Sequence, residues 1–472
     1  MKLMALRINP EFLALLKHGL TYISADFISK SLLFIGIPVF TRLLSPDEYG
    51  VLSIYTVYIN IFTVMAGLGL RGAVSRYFFE ERIDFYKFLG VNVTLVTYWS
   101  LGLCVIVLVF NGLFLSFFRI PFNVLLLGMI VFSSAPIPEL YQSYLQASQQ
   151  SKSVAKLYLF RDIVFLILSF VLTYCIKVDR YYGKIIAQVV VWCFFLIYVL
   201  RELKPYIKFG LIRSHSAYSL TFSIPILLHL LTQYVLIGFD QIVINQVLGA
   251  VETGLYSFAY KVGMIQNVIS MGLLRAWTPM FYHKMKNSEF GDIEKYNIKY
   301  FRIIVYIACL LILFSREIVL IMADSSYHGA VDVVPVIIAS YVFFYIYTIY
   351  VNYAFFYKKT KNIAIFTLIS GLINVGLNYK LIPLFGYRAA AATTLISYIS
   401  LVLFHYINVR FVIRCGNYVR IGFFIPHVFQ MLILIPVLSF LHELFGSYFL
   451  ILVVKVVIST IMSINVFRIV RK

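Results

Sequence analysis

The stretch "TRLLSPDEYGVLSIY", Thr41–Tyr55, sets an arginine, a Ser-Pro step and two acids between two runs apolar enough to lie in lipid. Ser45 at an N-cap, Pro46 at the first helical position and Glu48 three residues after the cap read as a capping box, which ends one helix and starts the next in a tight turn. Asp47 and Glu48 also suit the positive end of the second helix dipole. The stretch predicts a hairpin of two membrane-spanning helices.

The rest of the chain agrees with that hairpin. Of 472 residues, 61% are hydrophobic and 13% charged, and the mean hydropathy is +0.90; soluble domains sit at about 45–50% apolar and about 25% charged. Apolar runs of membrane length recur from end to end without the alternation of outer-membrane strands, so each must cross as a helix with its backbone hydrogen bonds satisfied internally. The expected class is an all-α integral membrane protein with about fourteen transmembrane helices. Their approximate limits are 20–41, 49–70, 88–110, 124–146, 159–177, 185–200, 217–239, 254–280, 303–322, 333–356, 362–380, 389–409, 421–441 and 447–466.

Net charge +20 does not imply a nucleic-acid partner, because most Lys and Arg fall in short breaks between spans. On this count 27 of the 40 lie on the side of the N-terminus and eight on the other, so both termini are expected in the cytoplasm. Lys2, Arg7 and Lys17 precede the first apolar run and no small-residue cleavage site follows, so that run is expected to stay as a span. The five cysteines are scattered, with no CxxC pair and no His at ligand spacing, and no metal site is expected. There is no DxD, no Gly-rich phosphate loop and no long soluble segment, which argues against an enzyme and leaves no catalytic residue to name.

The chain also repeats. A shift of 204 residues lays Gly50–Ser53 on Gly254–Ser257, Leu44 on Leu248 and Leu70-Arg71 on Leu274-Arg275. A shift of 203 lays Tyr182–Ala187 on Phe385–Ala390. Helices 1 and 2 therefore map onto helices 7 and 8, six apart, which preserves orientation. Two parallel six-helix lobes are expected, 1–208 and 209–415, with helices 13 and 14 of 416–472 appended.

Four segments carry a resemblance: "FTRLLSPDEYGVLSIY" (Phe40–Tyr55), "GLGLRGAVSRYF" (Gly67–Phe78), "ETGLYSFAYKVG" (Glu252–Gly263) and "NVGLNYKLIPLFGYRAAAATTLISY" (Asn374–Tyr398). The chain resembles the polysaccharide-transport branch of the multidrug/oligosaccharidyl-lipid/polysaccharide exporter superfamily. The resemblance implies a MATE-like fold and an O-antigen-type flippase, which moves an undecaprenyl-pyrophosphate-linked oligosaccharide between leaflets of the bacterial inner membrane by alternating access. Membrane lipids and other polysaccharide assembly proteins are the partners it implies. A cation-coupled multidrug exporter of the same fold is the alternative.

A pyrophosphate-sugar headgroup cannot cross hydrocarbon unaided, so ionisable residues inside spans are the first candidates for a site. Helix 1 carries Tyr22, Asp26, Ser29 and Lys30 on one stripe, where Asp26 and Lys30 either serve the cargo or neutralise each other. Helix 7 offers His229, Gln233 and Asp240 on one face, with solvation of Asp240 at the helix end as the bland reading. Lys261 of helix 8 has no acid one turn away along its own helix. Arg275 and its repeat equivalent Arg71 either meet substrate or anchor at headgroups, and Lys455 and Arg161-Asp162 carry a similar ambiguity.

Glycan hydroxyls could be met by Tyr341, Tyr345, Thr348 and Asn352 on helix 10 and by Ser370, Asn374 and Asn378 on helix 11, unless these stripes only pack helices. The expected substrate-binding set is Lys30, Lys261, Arg275, Arg71, Tyr341, Tyr345, Asn352, Asn374 and Asn378. Asp26, Asp240 and His229 form the expected ion-coupling set. No cofactor is expected beyond a coupling proton or sodium ion.

Overall fold

The computed structural model describes residues 24, 28–29, 31–32, 34–80, 83–416, 418–444 and 448–471, without the side chains of 229, 232–233, 235–237, 360, 439, 442–444, 448–449 and 464–471. Among the described residues the regular structure is helical. The chain is an all-α, multi-pass membrane protein with roughly fourteen spans, and among the described residues nine helices are long and apolar enough to cross a membrane on length and composition alone. It packs as two units, Met1–Gly238 and Phe239–Lys472.

The first unit contains α1 (Phe34–Leu43), α2 (Pro46–Gly67), α3 (Leu70–Glu80), α4 (Phe85–Val109), α5 (Asn111–Phe118), α6 (Phe122–Ser134), α7 (Pro136–Ala147), α8 (Ser151–Cys175) and α9 (Tyr181–Leu203). It also holds most of α10 (Arg213–Val247). The capping box forms as the sequence predicts: Glu48 N donates to Ser45 Oγ (3.2 Å) and Ser45 N donates to the Glu48 carboxylate (2.9 Å). Glu48 also accepts from Arg180 N (2.6 Å), and the Arg180 guanidinium donates to the Leu43 carbonyl (3.0 Å). One carboxylate thus caps α2 and ties its turn to the one that precedes α9. Glu48→Ala is expected to cost about 1–2 kcal/mol, read as a lower unfolding midpoint of the purified protein.

Aromatic packing sets the core of this unit. Tyr58 of α2 donates to the Leu125 carbonyl of α6 (3.3 Å), and its ring meets Phe62, Phe118 and Phe132. Where α3 meets α4, Tyr77 stacks on Phe88 with centroids 3.8 Å apart. There His215 Nε2 lies 3.1 Å from Asp84 and Tyr218 donates to Glu80 (2.5 Å), which fastens the start of α10.

The second unit takes the end of α10, then α11 (Ala250–Lys286), α12 (Phe290–Leu313), α13 (Ser315–Met322), α14 (Val334–Phe356), α15 (Thr360–Phe385), α16 (Arg388–Ile407), α17 (Phe424–Leu444) and α18 (Tyr448–Arg471). Buried residues run along α14 from Val334 to Ala354, with α11, α12 and α16 packed around it. In the turn between α11 and α12, outside the spans, Lys284 donates to Glu289 (2.7 Å) and Asp292 (2.5 Å); its hydrogen bond holds the Glu289 carboxyl below the usual carboxylate range. Lys455 of α18 is buried and donates to both oxygens of Glu317 on α13 (2.8 and 3.0 Å). It is a pin between helices and does not snorkel.

Each unit by itself contains one copy of the segments that repeat in sequence. Gly50–Ser53 lie in the first turns of α2 and Gly254–Ser257 in those of α11; Tyr182-Gly183 lie in the first turn of α9, whereas their equivalents Phe385-Gly386 close α15 just before α16 begins at Arg388. The halves differ where α2 stops. Leu68 and Gly69 adopt left-handed φ (50° and 68°), so a new helix begins at Leu70, whereas α11 runs unbroken through Arg275. Position 69 is glycine, which takes that φ without penalty; its equivalent is Leu273.

Candidate functional site

Four helices meet at one buried carboxylate in the second unit. Asp240 comes from the last turns of α10 and is 2% exposed. Tyr256 of α11 donates to its Oδ2 (2.8 Å), Asn378 of α15 donates to its Oδ1 (2.5 Å), and the Thr394 hydroxyl of α16 lies 2.7 Å from Oδ2. The Thr394 hydroxyl also lies 2.9 Å from the Ala390 carbonyl, and its single proton serves one acceptor at a time. Asn378 meets Asn374 one turn away (3.1 Å) and accepts from the Thr393 hydroxyl. Beyond Tyr256 a chain of rings continues through Tyr260 and Tyr341 of α14 to Tyr398.

Among the described residues no Lys or Arg forms an ion pair with Asp240. An ionised carboxylate taken out of water costs several kcal/mol, and the Tyr256 and Asn378 donors return roughly 1.5–3 kcal/mol each, with Thr394 adding a third bond only when its proton is turned from Ala390. The ionised group is held but not neutralised. Such a site is chemically suited to take up a proton or a small hard cation, since the neighbouring groups are hydroxyls and amides with oxygen acceptors of their own.

The first unit holds a second polar feature. A cavity of about 200 Å³ is bordered by α2, α3, α6, α7, α9 and α10, with Asn60, Arg71, Glu139, Gln188, Trp192 and Tyr234 in its wall. Arg71 lies just after the break between α2 and α3, 3.6 Å from Glu139 through one guanidinium nitrogen and 3.4 Å from Ser143 Oγ through Nε. Beside the cavity Arg161 pairs with Asp162 (2.8 Å) and lies over the rings of Tyr158 (4.6 Å) and Trp192 (5.2 Å).

The structure brings together some of the sequence-predicted residues and separates others. Asp240, Asn374 and Asn378, assigned to two different roles, belong to one network, and Tyr341 reaches its edge through Tyr260. Tyr345 and Asn352 are buried in the core along α14, and Arg71 belongs to the first unit's cavity. Lys261 is half-buried on α11 and Arg275 is exposed on the same helix. Asp26 and Lys30 lie outside the described residues, as does the side chain of His229. Tyr256, Thr393, Thr394, Glu139 and Trp192 were not predicted. Tyr256 and Tyr260, one turn apart, are a signal the sequence offers; nothing in it pairs Glu139 with Arg71.

Comparison with known proteins agrees with this architecture. The fold matches that of the lipid II flippase MurJ in an inward closed conformation, with TM-score 0.68 over 96% of this chain and 99% of that one at 16% identity. It also matches an inward-facing multidrug resistance MATE family transporter of the MOP superfamily, with TM-score 0.61 over 82% and 96% at 14% identity. In sequence the chain is 23% identical over 376 residues to a protein of the Lsg locus of Haemophilus influenzae, covering 76% of this chain and 89% of that relative. Residues 15–285, more than half of the chain, match the family described as "Polysaccharide biosynthesis protein", and the chain belongs to that family.

Proposed function

We propose that the protein is a flippase for undecaprenyl-pyrophosphate-linked oligosaccharide, an O-antigen-type unit, which it moves across the bacterial inner membrane by alternating access. The observation that carries this reading is membership of a polysaccharide biosynthesis family in a multi-pass membrane protein whose fold matches that of a lipid II flippase. Two six-helix lobes, 1–208 and 209–415, supply the moving parts, with 416–472 appended and both termini in the cytoplasm. Lys30 and Lys261 meet the pyrophosphate, because an anion of that charge needs positive groups within the spans. Asp240 couples the cycle to a proton or sodium ion, with Asn374, Asn378 and Thr394 as the oxygen-bearing neighbours, and Asp26 and His229 assist.

The test is expression in a bacterial strain that lacks its own O-antigen flippase. Restored surface polysaccharide supports the reading; restored drug resistance without polysaccharide supports the multidrug exporter that the MATE likeness favours. In the same strain Lys30→Ala and Lys261→Ala are each expected to lower restored polysaccharide about tenfold, the equivalent of roughly 1.4 kcal/mol in one lost charge-assisted contact. Full restoration by both variants contradicts the cationic path.

A further inference from the structure

The cavity of the first unit has a composition that selects its occupant. Its volume, about 200 Å³, is below the roughly 300–1,000 Å³ of drug-sized sites, so it has room for about one sugar ring within its walls. The charged residues in its wall are Arg71 and Glu139, opposite in sign and 3.6 Å apart, so the wall as a whole is neutral. A pyrophosphate there would face the Glu139 carboxylate at close range, which is repulsive and offsets the attraction of Arg71. An apolar occupant would offer no hydrogen bond to the amides of Asn60 and Gln188 and would displace water from the guanidinium and the carboxylate, leaving those two with only each other and Ser143.

A polyol meets every part of this wall. Each sugar hydroxyl both donates and accepts; Glu139 only accepts, Arg71 only donates, and the two amides do both. Trp192 offers a flat apolar surface for the C–H face of a ring. Its orientation is fixed from beside the cavity by the Arg161 guanidinium, itself held by Asp162.

We infer that this cavity is a subsite for one uncharged sugar ring of the cargo, with Trp192 as its stacking surface and Arg71, Glu139, Gln188 and Asn60 as its hydroxyl partners. The inference rests on the proposed lipid-linked glycan cargo. It assigns Arg71 to sugar and away from phosphate, and gives Arg161-Asp162 a positioning role.

The test uses the full-length protein in lipid nanodiscs and a panel of neutral methyl glycosides, with binding read by saturation-transfer NMR and inorganic pyrophosphate as competitor. Transport of a lipid-linked oligosaccharide is measured in parallel in proteoliposomes. At least one glycoside is expected to bind and pyrophosphate to leave it in place. Trp192→Ala and Gln188→Ala are expected to weaken binding about tenfold, and Trp192→Phe, which keeps a ring, to weaken it by less than half as much on a logarithmic scale. That graded order separates a lost contact from a collapsed fold. If the wild type transports the glycan but binds no glycoside, releases it to pyrophosphate, or binds it undiminished in both alanine variants, the subsite is refuted and the flippase reading stands. If the wild type moves no lipid-linked glycan at all, the flippase reading itself falls.

Discussion

Asp240→Asn is expected to reduce ion-gradient-driven transport at least tenfold while leaving the protein as stable as the wild type or more so. The two effects have opposite signs because, under the proposed coupling, the group both carries the ion and bears a buried charge. Asn keeps the size of the side chain and one oxygen for the Tyr256 and Thr394 hydroxyls, but it removes the charge that a proton or sodium ion would neutralise. A neutral amide of the same volume avoids the desolvation cost of an unpaired buried charge, which offsets the hydrogen bond from Asn378 that the substitution removes. A residue that only held α10, α11, α15 and α16 together would behave differently: its loss would lower the unfolding temperature and transport together. The measurement is transport in proteoliposomes with an imposed proton or sodium gradient, alongside thermal unfolding of the same preparation. Unchanged gradient-driven transport would remove Asp240 from the coupling mechanism.

Gly183→Ala is expected to be among the most damaging single substitutions in the first unit. A Cβ at position 183 would lie 2.4 Å from Thr173 N and 2.5 Å from Thr173 Cα, so α8 and α9 touch backbone to backbone at this point. Ordinary contact begins near 3.4 Å, and the helices would have to part by about 1 Å. Overpacking typically costs about 1–3 kcal/mol where a side chain can move aside, and here the obstacle is backbone. Close backbone approach at small residues is how membrane helices gain packing energy without a hydrophobic drive between them. The expected result is an apparent unfolding temperature several degrees lower and a reduced yield of monodisperse protein. Gly102→Ala is the control: that glycine is exposed on α4 with nothing within 4 Å of the added carbon, and the substitution is expected to be neutral or mildly stabilising.

These two positions differ in how far the sequence revealed them. Gly183 sits in a stretch whose repetition at Gly386 was plain, but its close contact is not repeated: Gly386 ends α15 with a left-handed φ of 72° and has nothing within 4 Å of an added Cβ. The capping box at Ser45–Glu48 was legible because its rules are local and need only three residues to state. Asp240 was visible as an acid in an apolar helix, and Asn374 and Asn378 as a stripe, but the sequence assigned them to separate tasks. Their meeting depends on how α10 and α15 pack, which helical periodicity does not encode. Tyr256 and Thr394 were hidden for the same cause, as common residue types that gain meaning only from the carboxylate they face. Glu139 follows two prolines in an unremarkable segment, and its pairing with Arg71, 68 positions earlier, is a tertiary fact. The break at Leu68-Gly69, which sets Arg71 at the head of a new helix, was signalled by the glycines at 67 and 69 but read as the end of a span.

The central claim is tested most directly by reconstituting the purified protein in proteoliposomes loaded with an undecaprenyl-pyrophosphate-linked oligosaccharide and following arrival of the glycan in the opposite leaflet with a membrane-impermeant glycosidase. The account predicts movement well above that in protein-free vesicles. No movement of the glycan-lipid by protein that transports a small organic cation under the same conditions would contradict it.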